Sequence, residues 1–434
     1  MDKMADVLGR AGAWCGQNKY LSAIKNAFQN FMPLTIAGAI GVLWCNVLVN
    51  ESTGLGIFFK PIMALEFLNP AFQAVNFCTI SCITVGITLG IAQEIGVWNM
   101  GAEKAGYIPG LVGLAAWLSV TNTSHMVEGA KEAFTGIAGN ELGATGLFTG
   151  MIIGVLSVEL FCFFEKQDAL KIKMPEQVPP GVARAFEVLV PATITLIITA
   201  CIGSACYNLT GLYLNDVIKN GIQGPLGAVG ATIPGVMIIY LVIMLFWLVG
   251  IHGNNMLSAV KEALFTPLAL ENVEKFNKGE KPTNIINMYF LQMCGEFGGS
   301  GVTIGLVIAI MIFGKREDNK AIATLSLVPG LFNINETVTF GIPMVLNPIL
   351  GIPFVFACLV TILVGYVLTV IGFCPVACLT VPWTTPPIVF GFLACGANVM
   401  GAVTQAILIV VSTVIYVPFL ISYEKYQNKQ AAEA

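Results

Sequence analysis

The stretch LFNINETVTFGIPMVLNP, residues 331–348, decides how this chain is read. Between Ala321 and Tyr423 the one residue of the Asp, Glu, Lys, Arg or His kind is Glu336, at its centre. An acid at the middle of a bilayer costs ~2.5–3.5 kcal/mol, so one kept in such apolar sequence marks a functional site. Asn333, Asn335, Gly341, Pro343 and Pro348 interrupt the same stretch. Breaks of this kind belong where unwound backbone lines a cavity, not where a helix faces lipid. A neutral carboxyl hydrogen-bonded inside a bundle is the plainer reading; the flanking asparagines and prolines favour a built site.

The rest of the chain agrees with a membrane setting. Of 434 residues, 56% are hydrophobic and 11% charged, against about 25% charged in soluble domains. The class is an all-α polytopic membrane protein. A net charge of −4 and the lack of a basic cluster give no support for nucleic-acid binding, and none is expected. Twelve scattered cysteines without a CxxC pair, and only two histidines, leave no disulfide framework, metal site or cofactor to expect.

A span needs ~20 mostly apolar residues. Stretches 30–50, 73–93, 106–120, 145–164, 185–206, 226–251, 301–314, 351–373 and 401–422 are rough candidates, and the expectation is about ten transmembrane helices. Three others, 252–300, 321–350 and 374–400, are too interrupted to cross simply and read as re-entrant hairpins. Residues 1–29 read as an amphipathic interfacial segment, 30–207 as a scaffold domain and 208–222 as a linker. Residues 223–422 read as the substrate-binding domain and 423–434 as a tail. Lys3, Arg10, Lys19 and Lys25 precede the first span; Lys166, Lys171, Lys173 and Arg184 follow the fourth. Both segments are then cytoplasmic, as are both termini, while loop 121–143, with Lys131 alone, lies outside.

The polar anomalies gather in the second half. His252, in FWLVGIHGNNML, ends a long apolar helix inside the charge-free stretch between Lys219 and Lys261, and Asn254 follows it closely. A histidine at such a break either moves a proton or caps the backbone. Glu296 is the only charge between Lys281 and Lys315 and precedes the turn Gly298-Gly299-Ser300-Gly301. Glycines there let backbone approach a ligand or a neighbouring helix. Trp247 and Trp383 supply aromatic faces. Sugar rings, apolar on their faces and hydroxylated at the rim, call for this mixture of indole, amide, carboxylate and imidazole.

The segments IKNAF…MPLTIAGAI (24–40), GIHG (250–253), GGSGVTIGL (298–306), FNINETVTFGIPMVLNP (332–348) and PWTTPP (382–387) occur in a telling order and spacing. In these the chain resembles the membrane subunit, enzyme IIC, of the lactose/cellobiose/chitobiose branch of the bacterial phosphotransferase system. The resemblance implies an elevator-type homodimer in the bacterial inner membrane. It also implies group translocation, in which a β-linked disaccharide crosses and is phosphorylated at its 6-hydroxyl. By motif, Glu336 and His252 would contact that hydroxyl. Asn335, Trp247, Trp383, Gly299 and Ser300 would hold the sugar, with Asn254 and Glu296 as further candidates. Two departures stand out: Thr337 follows Glu336 where the motif usually has proline, and Lys25 replaces an arginine found in some members. No polar block nears the ~100 residues a phosphocysteine domain needs, so a separate phosphorylated IIB, charged by IIA upstream, is the expected donor. The rival reading is a proton- or sodium-coupled sugar transporter with Glu336 as the coupling acid.

Overall fold

The computed structural model describes residues 10, 13–14, 17–51, 56, 59–125, 134–175 and 177–433. Lys3 and Lys131, used above to orient the chain, lie outside the described residues, as does most of segment 1–16. Numbering the principal helices in chain order, the chain opens with α1 (Lys19–Leu43), extended by a π-helical turn at Trp44–Leu48. Asn18 starts α1 early by accepting the Tyr20 and Leu21 amides on Oδ1, both at 3.1 Å. That bond satisfies backbone donors that a helix start leaves open. The first span therefore begins well before residue 30.

Five helices are long and apolar enough to cross a membrane. Two further bent pairs and two shorter apolar helices accompany them among the described residues. The nine stretches read as spans each map onto one of these.

Residues 17–38 and 75–227 form one compact unit. It holds α2 (Ile83–Met100), α3 (Ile108–Val120), α4 (Ala144–Glu165) and α5 (Pro180–Thr210). Glycines bring these helices together closely. A Cβ on Gly113 would lie 2.3 Å from the Ala92 Cβ, and one on Gly150 2.2 Å from Thr88 Oγ1. In lipid, where apolar side chains gain nothing by leaving their surroundings, such small-residue contacts supply the packing. At the end of α4 the buried Glu165 is matched by Lys104 at 2.8 Å and Arg184 at 3.0 Å.

Residues 39–74 and 228–434 form the other unit. Its helices are α6 (Ile233–Leu248), α7 (Gly253–Met256), α8 (Ser258–Asn277), α9 (Met288–Gly295) and α10 (Ile304–Phe313). After them come α11 (Glu317–Leu331), α12 (Glu336–Gly341), α13 (Gly351–Val370), α14 (Val389–Ala394) and α15 (Val399–Glu433). The α6 sequence IPGVMIIYLVIMLFWL is apolar on every face, as a helix buried in a membrane bundle must be, and Thr232 caps its start through the Gly235 amide. The helix pair Met288–Val302 and Ile304–Phe313 is bent by 59° beside the glycine-rich turn. The short helices α7, α12 and α14 lie in the three stretches read as interrupted. Helix α15 runs on to Glu433, so the tail continues the last span.

Candidate functional site

The site is built where α6, α9 and α11 stop. After Leu248 the chain reverses at 249–252 and starts α7. A Cβ on Gly253 would sit 2.0 Å from the Ile243 carbonyl oxygen, so only glycine lets α7 lie directly on α6. His252 is the N-cap of α7: its Nδ1 accepts the Asn255 N–H at 3.2 Å. With Nδ1 occupied as an acceptor, the proton of the neutral ring is on Nε2. That nitrogen lies 3.8 Å from Glu336 Oε1. The ring rests on Trp247, centroids 4.4 Å apart.

Trp247 itself is 2% exposed and packs against Phe340 and Phe354. The indole expected to hold sugar is thus a buried platform for His252, and its N–H has no partner among the described residues. Asn254 follows on α7, and its buried Oδ1 also has no partner there. Glu336 opens α12 with its side chain 48% exposed. A backbone bond from the Leu346 N–H to the Leu248 carbonyl, 2.8 Å, ties the segment after α12 to the end of α6. This is what brings His252 and Glu336, distant in sequence, to one place.

The asparagines flanking Glu336 hold backbone. Asn335 is buried and donates from Nδ2 to the Ser300 carbonyl at 2.8 Å. Gly299 has φ +89°, and a Cβ there would come within 2.6 Å of the Asn335 Cβ. Ser300 is buried too, its carbonyl taken by Asn335. The GGSG turn therefore interlocks with the INE segment by shape and hydrogen bonds. Tyr416 adds a donor to the Gly301 carbonyl at 2.8 Å.

Asn333, read from the sequence only as an interruption, is the hub. Its Oδ1 accepts the Gly298 N–H at 2.7 Å, and its Nδ2 donates to the carbonyls of Trp383 and Thr385. It does so at φ +63°, a left-handed conformation that asparagine tolerates better than most residues. Trp383 is thereby fixed by its backbone while its indole stays 42% exposed. Gln405 does the same for the end of the PWTTPP turn, accepting the Ile388 and Gly391 amides at 2.7 Å.

Glu296 is not the lone charge its sequence surroundings imply. Its Oε1 accepts from the Tyr240 hydroxyl at 2.7 Å and pairs with the buried Lys261 ammonium. The sequence signal for Lys261 was present, since it closes the charge-free run after Lys219, but no periodicity connects it to Glu296.

A predominantly helical, multi-pass membrane protein that gathers carboxylate, imidazole and indole at broken helices is a transport protein in construction. The chain belongs to the phosphotransferase system EIIC family, whose description, Phosphotransferase system, EIIC, matches residues 25–358. It is 33% identical to the PTS system oligo-beta-mannoside-specific EIIC component of Bacillus subtilis (strain 168), across 98% of this chain and 94% of that one. It is 29% identical to the PTS system cellobiose-specific EIIC component of Lactococcus lactis subsp. lactis (strain IL1403), covering 98% of both. The crystal structure of the transporter ChbC, the IIC component from the N,N'-diacetylchitobiose-specific phosphotransferase system, superposes with a TM-score of 0.88 at 29% identity over 97% of each chain. As a family member the chain works with IIB and IIA components on a sugar.

Proposed function

We propose that the chain carries a β-linked disaccharide of the cellobiose type across the membrane and presents its 6-hydroxyl to the phosphocysteine of IIB. The observation that carries this is the pairing of His252 Nε2 and Glu336 Oε1 at 3.8 Å. The gap is too long for a direct hydrogen bond, yet one oxygen at about 2.8 Å from each atom bridges it. A sugar hydroxyl in that position accepts from the imidazole N–H and donates to the carboxylate. When the hydroxyl oxygen attacks phosphorus, the P–S bond to cysteine breaks and the thiolate leaves. The hydroxyl proton passes to Glu336. His252 orients the oxygen, Trp247 holds the imidazole in place, and exposed Trp383 offers a face for a sugar ring. The subunit thus contributes groups to the phosphotransferase reaction as well as a path.

Residues 223–422 carry the sugar in this reading, and residues 30–207 anchor a homodimer. Exposed apolar side chains along α5, such as Ile197, Ile202 and Leu209, fit lipid or a second copy. The basic residues after α4 and at Lys315 and Arg316 favour cytoplasmic termini.

Vesicles containing the purified chain test the reading. With phospho-IIB they should form cellobiose 6-phosphate; without it they should accumulate no free sugar under a proton or sodium gradient. Gradient-driven accumulation of free sugar would make Glu336 a coupling acid instead.

A further inference from the structure

Phe340 is a large aromatic side chain left 57% exposed, and the transfer step makes no use of it. It lies four residues after Glu336 on α12. Residues four apart share one face of a helix, with Cβ atoms ~5–6 Å from each other. The burial pattern agrees: Glu336, Thr337, Phe340 and Gly341 are open, while Val338 and Thr339 are buried. Helical side chains also lean back over the turn that precedes them, and for Phe340 that is the turn Glu336 begins.

A second set of contacts leads to the same place. The Phe340 ring centre lies 6.5 Å from that of Trp247, and Trp247 lies 4.4 Å from His252. His252 Nε2 in turn lies 3.8 Å from Glu336 Oε1. The four side chains therefore close a circuit around the gap that receives the 6-hydroxyl. Exposure alone would fit lipid, which is as apolar as such a side chain. The shared face decides against it. An ionisable group inside a membrane protein faces the bundle interior or a water-filled cavity, so the open ring beside Glu336 lines that cavity as well.

We propose that Phe340 is the platform for the sugar ring whose 6-hydroxyl enters the gap between His252 and Glu336, lying against that ring's apolar face. The assignment rests on the sugar-permease reading above. A phenyl ring gives a flat apolar surface with no polar atom of its own to satisfy. It thus fixes where the ring lies and leaves the hydroxyl to the imidazole and the carboxylate.

Cellobiose binding to the full-length purified protein, measured by calorimetry, tests this. Phe340→Leu stays apolar but removes the flat face, and should lower affinity roughly three- to tenfold, the range found for aromatic pairing. Phe340→Tyr keeps the face and should bind within about twofold of wild type. Unchanged affinity in the leucine variant overturns the proposal, and equal losses in both variants would make Phe340 a packing residue beneath Trp247. Phe340→Cys gives a readout that does not depend on the lost face. A hydrophilic maleimide attacks the thiolate, which forms in water and not in lipid. Peptide mass spectrometry should find the introduced thiol alkylated, and cellobiose at ten times its dissociation constant for that variant should slow the reaction about tenfold. No alkylation would put the side chain in lipid, and alkylation indifferent to sugar would put it outside the site; either overturns the proposal even if Phe340→Leu does not fold. Phosphorylation is scored separately. Wild type that binds cellobiose with these variant effects but forms no sugar phosphate with phospho-IIB overturns the proposed function and leaves this inference standing. Normal phosphorylation with unchanged binding in Phe340→Leu overturns this inference alone, and wild type that binds no cellobiose overturns both.

Discussion

Glu336→Gln separates base from binding group. The side chain opens a short helix and is half exposed, so the amide replaces it without disturbing buried packing, and the fold should hold. The amide oxygen still accepts from a sugar hydroxyl, but the bond no longer involves a charge. Hydrogen bonds to charged groups are worth ~1.5–3 kcal/mol and neutral ones ~0.5–1.5, so affinity should fall by about tenfold. The chemical step loses more. A positioned general base contributes ~10²–10⁴-fold, or about 3–5 kcal/mol of barrier. His252 cannot replace it, because Nδ1 is engaged by the Asn255 amide and Nε2 carries the proton. Sugar affinity by calorimetry and phosphoryl transfer from phospho-IIB, measured on one preparation, should therefore diverge by at least tenfold. Glu336→Asp, which keeps the carboxylate but draws it back by one methylene, should recover part of the rate. Near-normal transfer by the glutamine variant, or equal losses in rate and affinity, would refute the assignment.

Gly253→Ala drives a methyl group into the Ile243 carbonyl 2.0 Å away; overpacking of ~1–3 kcal/mol or more should lower the melting temperature and displace His252, seen as lost phosphotransfer. Trp383→Ala should weaken disaccharide binding by ~2 kcal/mol with little change in melting temperature, since the indole is 42% exposed; unchanged binding would make it an interfacial tryptophan. Asn333→Ala and Asn333→Gly both delete the links between turns, but only alanine adds left-handed strain of ~1–2 kcal/mol at φ +63°. The glycine variant should melt higher than the alanine variant, and the reverse order would discount the strain.

The spans were legible because each is marked by a run of apolar residues, five of them in helices long enough to cross alone, and that signal is local. The exceptional status of Glu336 and His252 was equally legible, since a charge or imidazole in such surroundings needs no alignment to stand out. Their pairing was not. It depends on the Leu346–Leu248 backbone bond and on the close seat of Gly253, and neither leaves a periodic trace. Trp247 shows the limit from the other side. An indole five positions before a histidine could face a ligand or sit beneath the ring, and only packing against Phe340 and Phe354 decides. Prolines, glycines and asparagines made the helix breaks of the second unit visible, yet the part played by Asn333 in joining three turns required its geometry.

The breaks also explain how a site made of turns can be rigid. Each helix that stops inside a membrane leaves backbone amides and carbonyls that lipid cannot satisfy. Here side-chain amides take them up: Asn335 at Ser300, Asn333 at Gly298, Trp383 and Thr385, and Gln405 at Ile388 and Gly391. An amide suits the task because it carries donor and acceptor without a charge to desolvate. With these residues spent on backbone, Glu336 and His252 Nε2 still face each other with free capacity at 3.8 Å. The same bonds that make broken helices tolerable in the bilayer therefore decide which few groups remain to meet a sugar, and they hold those groups in place before it arrives.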